Sequence, residues 1–72
     1  MIWLTGIGGN RFVLNAEHIE TVESLPDTTI TLTNGRKFIV KESADEVIRL
    51  VIEYKRKIFG LAEIIRELRQ GR

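Results

Sequence analysis

A chain of 72 residues without cysteine is long enough for one small domain, and it contains neither a disulfide framework nor a cysteine-based metal or catalytic site. Its 11 basic residues nearly balance 10 acidic ones, so a net charge of +1 gives no strong field to attract nucleic acid or an anionic membrane. No apolar run approaches the roughly 20 residues that span a bilayer, and residues 1–5 lack the features of a signal peptide. We therefore expect a soluble, cytoplasmic protein with no membrane insertion.

The first part of the chain has the alternation and turn residues of short strands. Ile2 and Leu4 alternate with their neighbours in a first strand, and the glycine-rich residues 6–10 supply a turn. Phe12 and Leu14 lie two apart, as on one face of a second strand. Before the next hairpin we predict a tight turn over residues 15–18, in which the Asn15 side chain bonds nearby backbone amides, and a strand over residues 19–25 that ends at Pro26.

A β-hairpin is the clearest local prediction. Residues 28–33 alternate hydroxyl and apolar side chains with the period of a half-buried strand. Asn34-Gly35 follows, the favoured pair for a two-residue type I′ turn, and Phe38 and Val40 resume the alternation. We expect strands on both sides of a two-residue turn at Asn34-Gly35.

From Ser43 the apolar period changes to that of a helix. Ser43 and Glu46 match a capping box, in which each side chain satisfies a backbone amide of the other residue. No proline follows, so we predict a helix over residues 43–70 with Gly60 as its weakest point. The fold class is therefore α+β: a small antiparallel sheet of four to five short strands followed by a long C-terminal helix. We treat residues 1–72 as one domain, with the sheet in residues 1–41.

Apolar residues of this helix recur with alternating spacings of four and three, which is the pattern of left-handed helix packing. This seam consists of Val47, Val51, Tyr54, Ile58, Leu61, Ile65 and Leu68. A second apolar stripe beside it contains Ile48, Ile52, Phe59 and Ala62. A helix of this length is longer than strands of five or six residues can cover. We therefore expect the tail from about residue 58 to contact another chain.

The predicted oligomer or partner interface consists of Val51, Tyr54, Ile58, Leu61, Ile65 and Leu68. β-Branched residues that alternate with leucine along the seam favour the packing of two parallel helices in a coiled coil. A homo-oligomer is therefore the expected assembly. The alternative is a helix break at Phe59-Gly60, after which the last segment folds back on its own domain.

Other candidates for chemistry are weaker. His18 lies in a turn beside Glu17 and Glu20, which is a poor geometry for zinc, so we predict no metal site. The glycines of residues 6–9 lack the lysine and the helix of a phosphate-binding loop. No nucleophile, base and acid occur together. We predict no catalytic residues, no cofactor and no small-molecule substrate.

Six basic residues suggest an alternative function, the binding of RNA. Lys55, Arg56 and Lys57, together with Arg36, Lys37 and Lys41, would form a phosphate-binding patch if the fold brought them together. RNA-binding sheets also expose aromatic rings for stacking, and here only Trp3 is a good candidate. A charged, solvated helix face is the simpler interpretation, and a small RNA-binding regulatory module remains the alternative.

The sequence resembles the FlbD (SwrD) family of flagellar and swarming motility proteins over residues 1–58. The most specific part of the resemblance runs from Pro26-Asp27-Thr28 to Asn34-Gly35, and it is accompanied by residues 1–2, 4–5, 12–15, 19–23, 40–43 and 47–57. The tail from about Phe59 exceeds the shorter family members. The resemblance implies a cytoplasmic protein at the flagellar base that supports motor or stator function through protein contacts. It implies no catalytic residue and no cofactor.

Overall fold

The computed structural model describes residues 1–70, and for residues 59–64, 67 and 70 it describes the backbone alone. Five short strands precede one long helix, which confirms the predicted α+β class. The elements are β1 (Ile2–Thr5), β2 (Arg11–Leu14), a 3-10 turn (Ala16–His18), β3 (Ile19–Glu23), β4 (Thr28–Leu32), β5 (Lys37–Val40) and α1 (Ala44–Gln70). Because α1 is continuous through Gly60, the predicted alternative of a break and a fold-back is wrong.

The strands form two small sheets instead of the one sheet expected from the sequence. β1 and β2 pair antiparallel, and a separate antiparallel sheet has the order β3-β4-β5. The two sheets meet where the chain leaves β1: the N–H of Lys41 donates to the carbonyl of Thr5 at 2.8 Å, and the N–H of Ile7 donates to the carbonyl of Ile39 at 3.0 Å. Since only these chain ends are paired, the contact is too short to merge the two sheets.

The hairpin between β4 and β5 forms as predicted, but its turn is of another type. The N–H of Gly35 donates to the carbonyl of Leu32 at 2.9 Å, and the N–H of Leu32 donates to the carbonyl of Arg36 at 2.8 Å. This pattern defines a three-residue loop over residues 33–35, so the two-residue type I′ assignment is wrong. Gly35 has a φ of +90°, as the last position of such a loop requires. The Asn34 side chain accepts the N–H of Arg36 at 3.0 Å, which closes an Asx turn across that glycine and stabilises the loop.

The two turns nearer the N-terminus confirm the sequence-based predictions. The glycine-rich segment joins β1 to β2, closed by a 2.7 Å hydrogen bond from the N–H of Gly6 to the carbonyl of Asn10, with Gly9 at a φ of +98°. The Asn15 side chain caps the 3-10 turn by accepting the N–H of Glu17 at 3.0 Å. A cis peptide bond joins Leu25 to Pro26 between β3 and β4.

The core lies between the inner faces of the two sheets and the first turns of α1. Its most deeply buried side chains come from four different elements: Leu4, Ile30, Val40 and Val47. Phe12 and Phe38 pack against this core with their ring centroids 5.3 Å apart. Burying an aliphatic side chain of this size stabilises the fold by about 1.5–3 kcal/mol. Val47 therefore anchors the start of the helix to the sheets.

Candidate functional site

The start of α1 is set by local hydrogen bonds. The N–H of Glu46 donates to the Ser43 hydroxyl at 3.1 Å, and the N–H of Ser43 donates to the Glu46 carboxylate at 3.3 Å. This confirms the predicted capping box, which satisfies two backbone amides at the helix end. Arg49 lies one turn further on and contacts the carboxylates of Glu46 and Glu53 at 3.9 and 3.4 Å. The start of the helix is thus fixed by contacts within residues 43–53.

The first half of the predicted seam packs on the chain's own core. Val47 is fully buried, and Val51 and Tyr54 are half-buried against the core cluster together with Leu50. The apolar row therefore faces the core over its first two turns, and α1 contacts β1 and β3. Val51 and Tyr54, which the sequence assigns to an intermolecular interface, already have intramolecular partners.

The second half of the seam is exposed. Ile58, Ile65 and Leu68 have 53%, 45% and 77% of their surfaces accessible to solvent. Val51, Ile58 and Ile65 are spaced by seven residues, so they lie on nearly the same face of the helix. The same apolar row that fixes the helix on its sheets thus continues as an exposed surface once the helix passes beyond the core. The side chain of Leu61 lies outside the described residues, and the six-residue interface stays a prediction.

The second stripe begins on a different side of the helix. Ile48 and Ile52 are exposed at 47% and 40%, beside a shallow hollow that is also bordered by Asp45, Arg49 and Arg56. The side chains of Phe59 and Ala62, which would continue this stripe, are outside the described part. The helix therefore presents two exposed apolar rows, of which only the seam is continuous with the core.

Trp3 lies on an exposed surface. From the sequence alone, this residue is only a candidate for stacking on RNA bases. It stands on the outer face of β1, directly opposite Val13 on β2, and the Arg11 guanidinium lies 5.5 Å from its ring centroid. Met1, Trp3 and Tyr54 border one hollow, so this surface adjoins the proximal end of the seam. The signal in the sequence is the alternation of β1, which places Trp3 on the face opposite to the buried Ile2 and Leu4.

The structure does not assemble the other candidate sites. His18 is exposed in the 3-10 turn, and among the described residues no group of three histidine, aspartate or glutamate side chains lies close enough to hold a metal ion. Arg36 and Lys37 lie at the β4–β5 hairpin, whereas Arg56 borders a hollow on α1 and Lys57 borders another between α1 and β1. These four cations therefore border three different hollows, and the six-residue basic patch stays a prediction.

No helix within the described residues combines the length and the apolar composition needed to cross a membrane.

The fold and the exposed seam define a small α+β protein whose single long helix projects an apolar face beyond its own core. The chain belongs to the FlbD family of flagellar and swarming motility proteins, whose sequence profile matches residues 1–59. This membership assigns it a role in flagellar or swarming motility. The match ends just after Ile58, so most of the exposed seam lies beyond the matched segment. No curated protein and no solved structure matches the chain.

Proposed function

We propose that this chain is a non-enzymatic accessory protein of the flagellar motor that acts in the cytoplasm, at the flagellar base, by binding other protein chains, including copies of itself. Support comes from one observation above all: the seam continues past the core with exposed Ile58, Ile65 and Leu68. Stator and rotor components are the expected further partners, since the family acts in flagellar and swarming motility.

The energetics favour contact between two such helices. An aliphatic side chain gains about 1.5–3 kcal/mol on full burial, and since these three are already partly covered, about 1 kcal/mol each is the appropriate figure. Two chains contribute six such side chains, or about 6 kcal/mol, which is comparable to the lower part of an association cost of about 4–15 kcal/mol. Because Val51 and Tyr54 are occupied by the core, the contact between copies begins near Ile58.

Sedimentation velocity tests this assembly with a matched pair of variants. Ile58→Glu with Ile65→Glu places two charges on the seam, and Ile48→Glu with Ile52→Glu places two charges on the other exposed row of the same helix. The four residues have similar exposure, so the two variants differ mainly in the face that they alter. We expect the seam variant to sediment as a monomer and the control to keep the wild-type assembly. A wild-type protein that is monomeric at high micromolar concentration would refute self-association.

The motor partner is tested in cells. A crosslinking pull-down from motile bacteria should recover stator or rotor proteins with the wild-type chain and lose them with the seam variant, while swarming falls in parallel. Recovery of RNA-binding ribosomal proteins instead, or salt-sensitive retention on heparin, would favour the alternative of an RNA-binding module.

A further inference from the structure

A further apolar surface lies away from the seam, in a shallow, open cleft between β2 and the β4–β5 hairpin. Its volume is about 680 Å³, and its lining comes from residues 6–14 and 32–39. The β2 and β5 strands that border it are each the outer strand of their sheet. The cleft therefore opens where the two sheets diverge from their short connection at Ile7 and Ile39.

The floor and the rim of this cleft are hydrophobic. Phe12 and Phe38 are half-buried, and their rings contact each other at 5.3 Å between centroids. Ile7 and Ile39 are also lining residues and remain exposed, and their backbones are joined by the 3.0 Å hydrogen bond from the N–H of Ile7 to the carbonyl of Ile39. Exposed aliphatic side chains beside a preformed aromatic floor suit an apolar ligand group better than a polar one.

The charges that line the cleft have one sign. Arg36 and Lys37 are its charged lining residues, both cationic, in a chain whose total charges nearly cancel. The Arg36 guanidinium covers the Phe38 ring at 5.2 Å from its centroid, and Lys37 Nζ donates to the Thr31 hydroxyl at 3.1 Å. Within the described part of the chain neither forms an ion pair, whereas Arg49 on α1 contacts two carboxylates. The lining of the cleft thus combines apolar side chains with two cations that have no carboxylate partner among the described residues.

We propose that this cleft binds a short peptide segment of a partner protein that carries aliphatic side chains and at least one carboxylate. The aliphatic groups would contact Ile7 and Ile39, while Arg36 and Lys37 would pair with the carboxylate. A peptide fits better than RNA because Arg36 covers one ring and the two phenylalanines cover each other, which leaves no free aromatic platform for base stacking. This site goes beyond the proposed function, because it is a second surface that does not involve the seam.

The test is an NMR titration of the ¹⁵N-labelled full chain with a capped heptapeptide of alternating leucine and aspartate. A second peptide, with asparagine in place of aspartate, keeps the shape and removes the charge. We expect shifts at Ile7, Phe38 and Ile39, and a roughly tenfold weaker affinity for the asparagine peptide, as loss of charge-assisted hydrogen bonds predicts. No shift at these residues, or equal affinity for both peptides, would overturn the proposal.

Variants assign the effect to the two cations. The variant Arg36→Gln with Lys37→Gln should bind the aspartate peptide roughly tenfold more weakly than the wild type does. Its affinity for the asparagine peptide should be unchanged. The matched control, Lys41→Gln with Lys57→Gln, removes the same charge outside the cleft and should bind as the wild type does. Since Arg36 also packs on Phe38, Arg36→Lys keeps the charge without the planar group, and it should bind within a few-fold of wild type. An equal loss in the control pair would contradict the assignment.

Two further measurements keep the possible failures apart. The first is a titration with a uridine decanucleotide. If it shifts the resonances of the same residues and binds more tightly than the aspartate peptide, the ligand of the cleft is nucleic acid and the peptide proposal is wrong. The seam variant Ile58→Glu with Ile65→Glu should bind the peptide normally, and the Arg36-Lys37 variant should sediment as the wild type does. Failure of the cleft therefore leaves the seam intact, and the converse also holds.

Discussion

The backbone N–H of Thr5, at the end of β1, donates a 2.9 Å hydrogen bond to the Glu42 carboxylate, 37 residues later in the chain. Glu42 immediately precedes Ser43, the cap of α1. This bond therefore connects the first strand to the residue before the start of the helix. Partial burial by itself raises the pKa of Glu42, but the hydrogen bonds from Thr5 and the nearby charge of Arg11 outweigh it and hold the pKa below its ordinary value.

The lowered pKa predicts a pH-dependent contribution to stability. Because the folded-state pKa lies below the ordinary value of 4.5, the ionised form stabilises the fold fully above that value, and the stabilisation is lost as the pH falls through the folded pKa. We expect Glu42→Gln to lower the melting temperature at neutral pH, with a difference from wild type that shrinks as the pH drops below 4.5. Glu23→Gln, at an exposed position on β3, is the control, and the same pH dependence there would contradict the assignment.

The loop of the β4–β5 hairpin predicts a glycine requirement at one position. Gly35 has a φ of +90°, so Gly35→Val should destabilise the domain by about 1–2 kcal/mol in thermal or urea unfolding. Gly8→Ala is the matched control, because a Cβ there would meet no atom closer than 3.8 Å and its φ is not in the left-handed region. That change should be neutral or slightly stabilising. Equal losses for the two variants would argue against this loop geometry.

The capping box predicts a loss of about 1 kcal/mol for Ser43→Ala, because the N–H of Glu46 then loses its acceptor at the helix end. In a domain of this size the melting temperature should fall by about 4–8 °C. Ser24→Ala, at an exposed position between β3 and β4, tests whether any serine has this effect and should leave the melting temperature unchanged. A silent Ser43→Ala would mean that the helix is held by its packing alone.

The two halves of the seam predict different responses to truncation. Val47→Ala removes buried methyl groups from the core and should cost about 2 kcal/mol of folding stability at any protein concentration. Ile58→Ala alters a residue that is exposed in the single chain, so it should weaken association and lower the melting temperature only where the protein is assembled. Melting curves over a hundredfold range of concentration separate the two effects. A concentration-independent loss for Ile58→Ala would place this residue in an intramolecular contact.

Several features were predictable from the sequence because they depend on neighbours in the chain. The capping box at Ser43 and Glu46 involves residues three apart, and the Asn15 cap involves residues two apart. Strand alternation likewise identified the inward faces, with Leu4 and Ile30 buried. The 4-3 spacing identified the apolar face of α1 without reference to the sheets.

Only the tertiary structure decided how these elements are covered. The pair Asn34-Gly35 predicts a turn, but the register of β4 on β5 decided that the loop has three residues. The seam has one periodicity along its length, and the extent of the sheets decided that Val47 is buried while Ile58 is exposed. The cleft exists because the fold brings Phe12 beside Phe38, 26 positions apart. Spacing in a sequence shows which residues share a face, but what contacts that face depends on long-range packing.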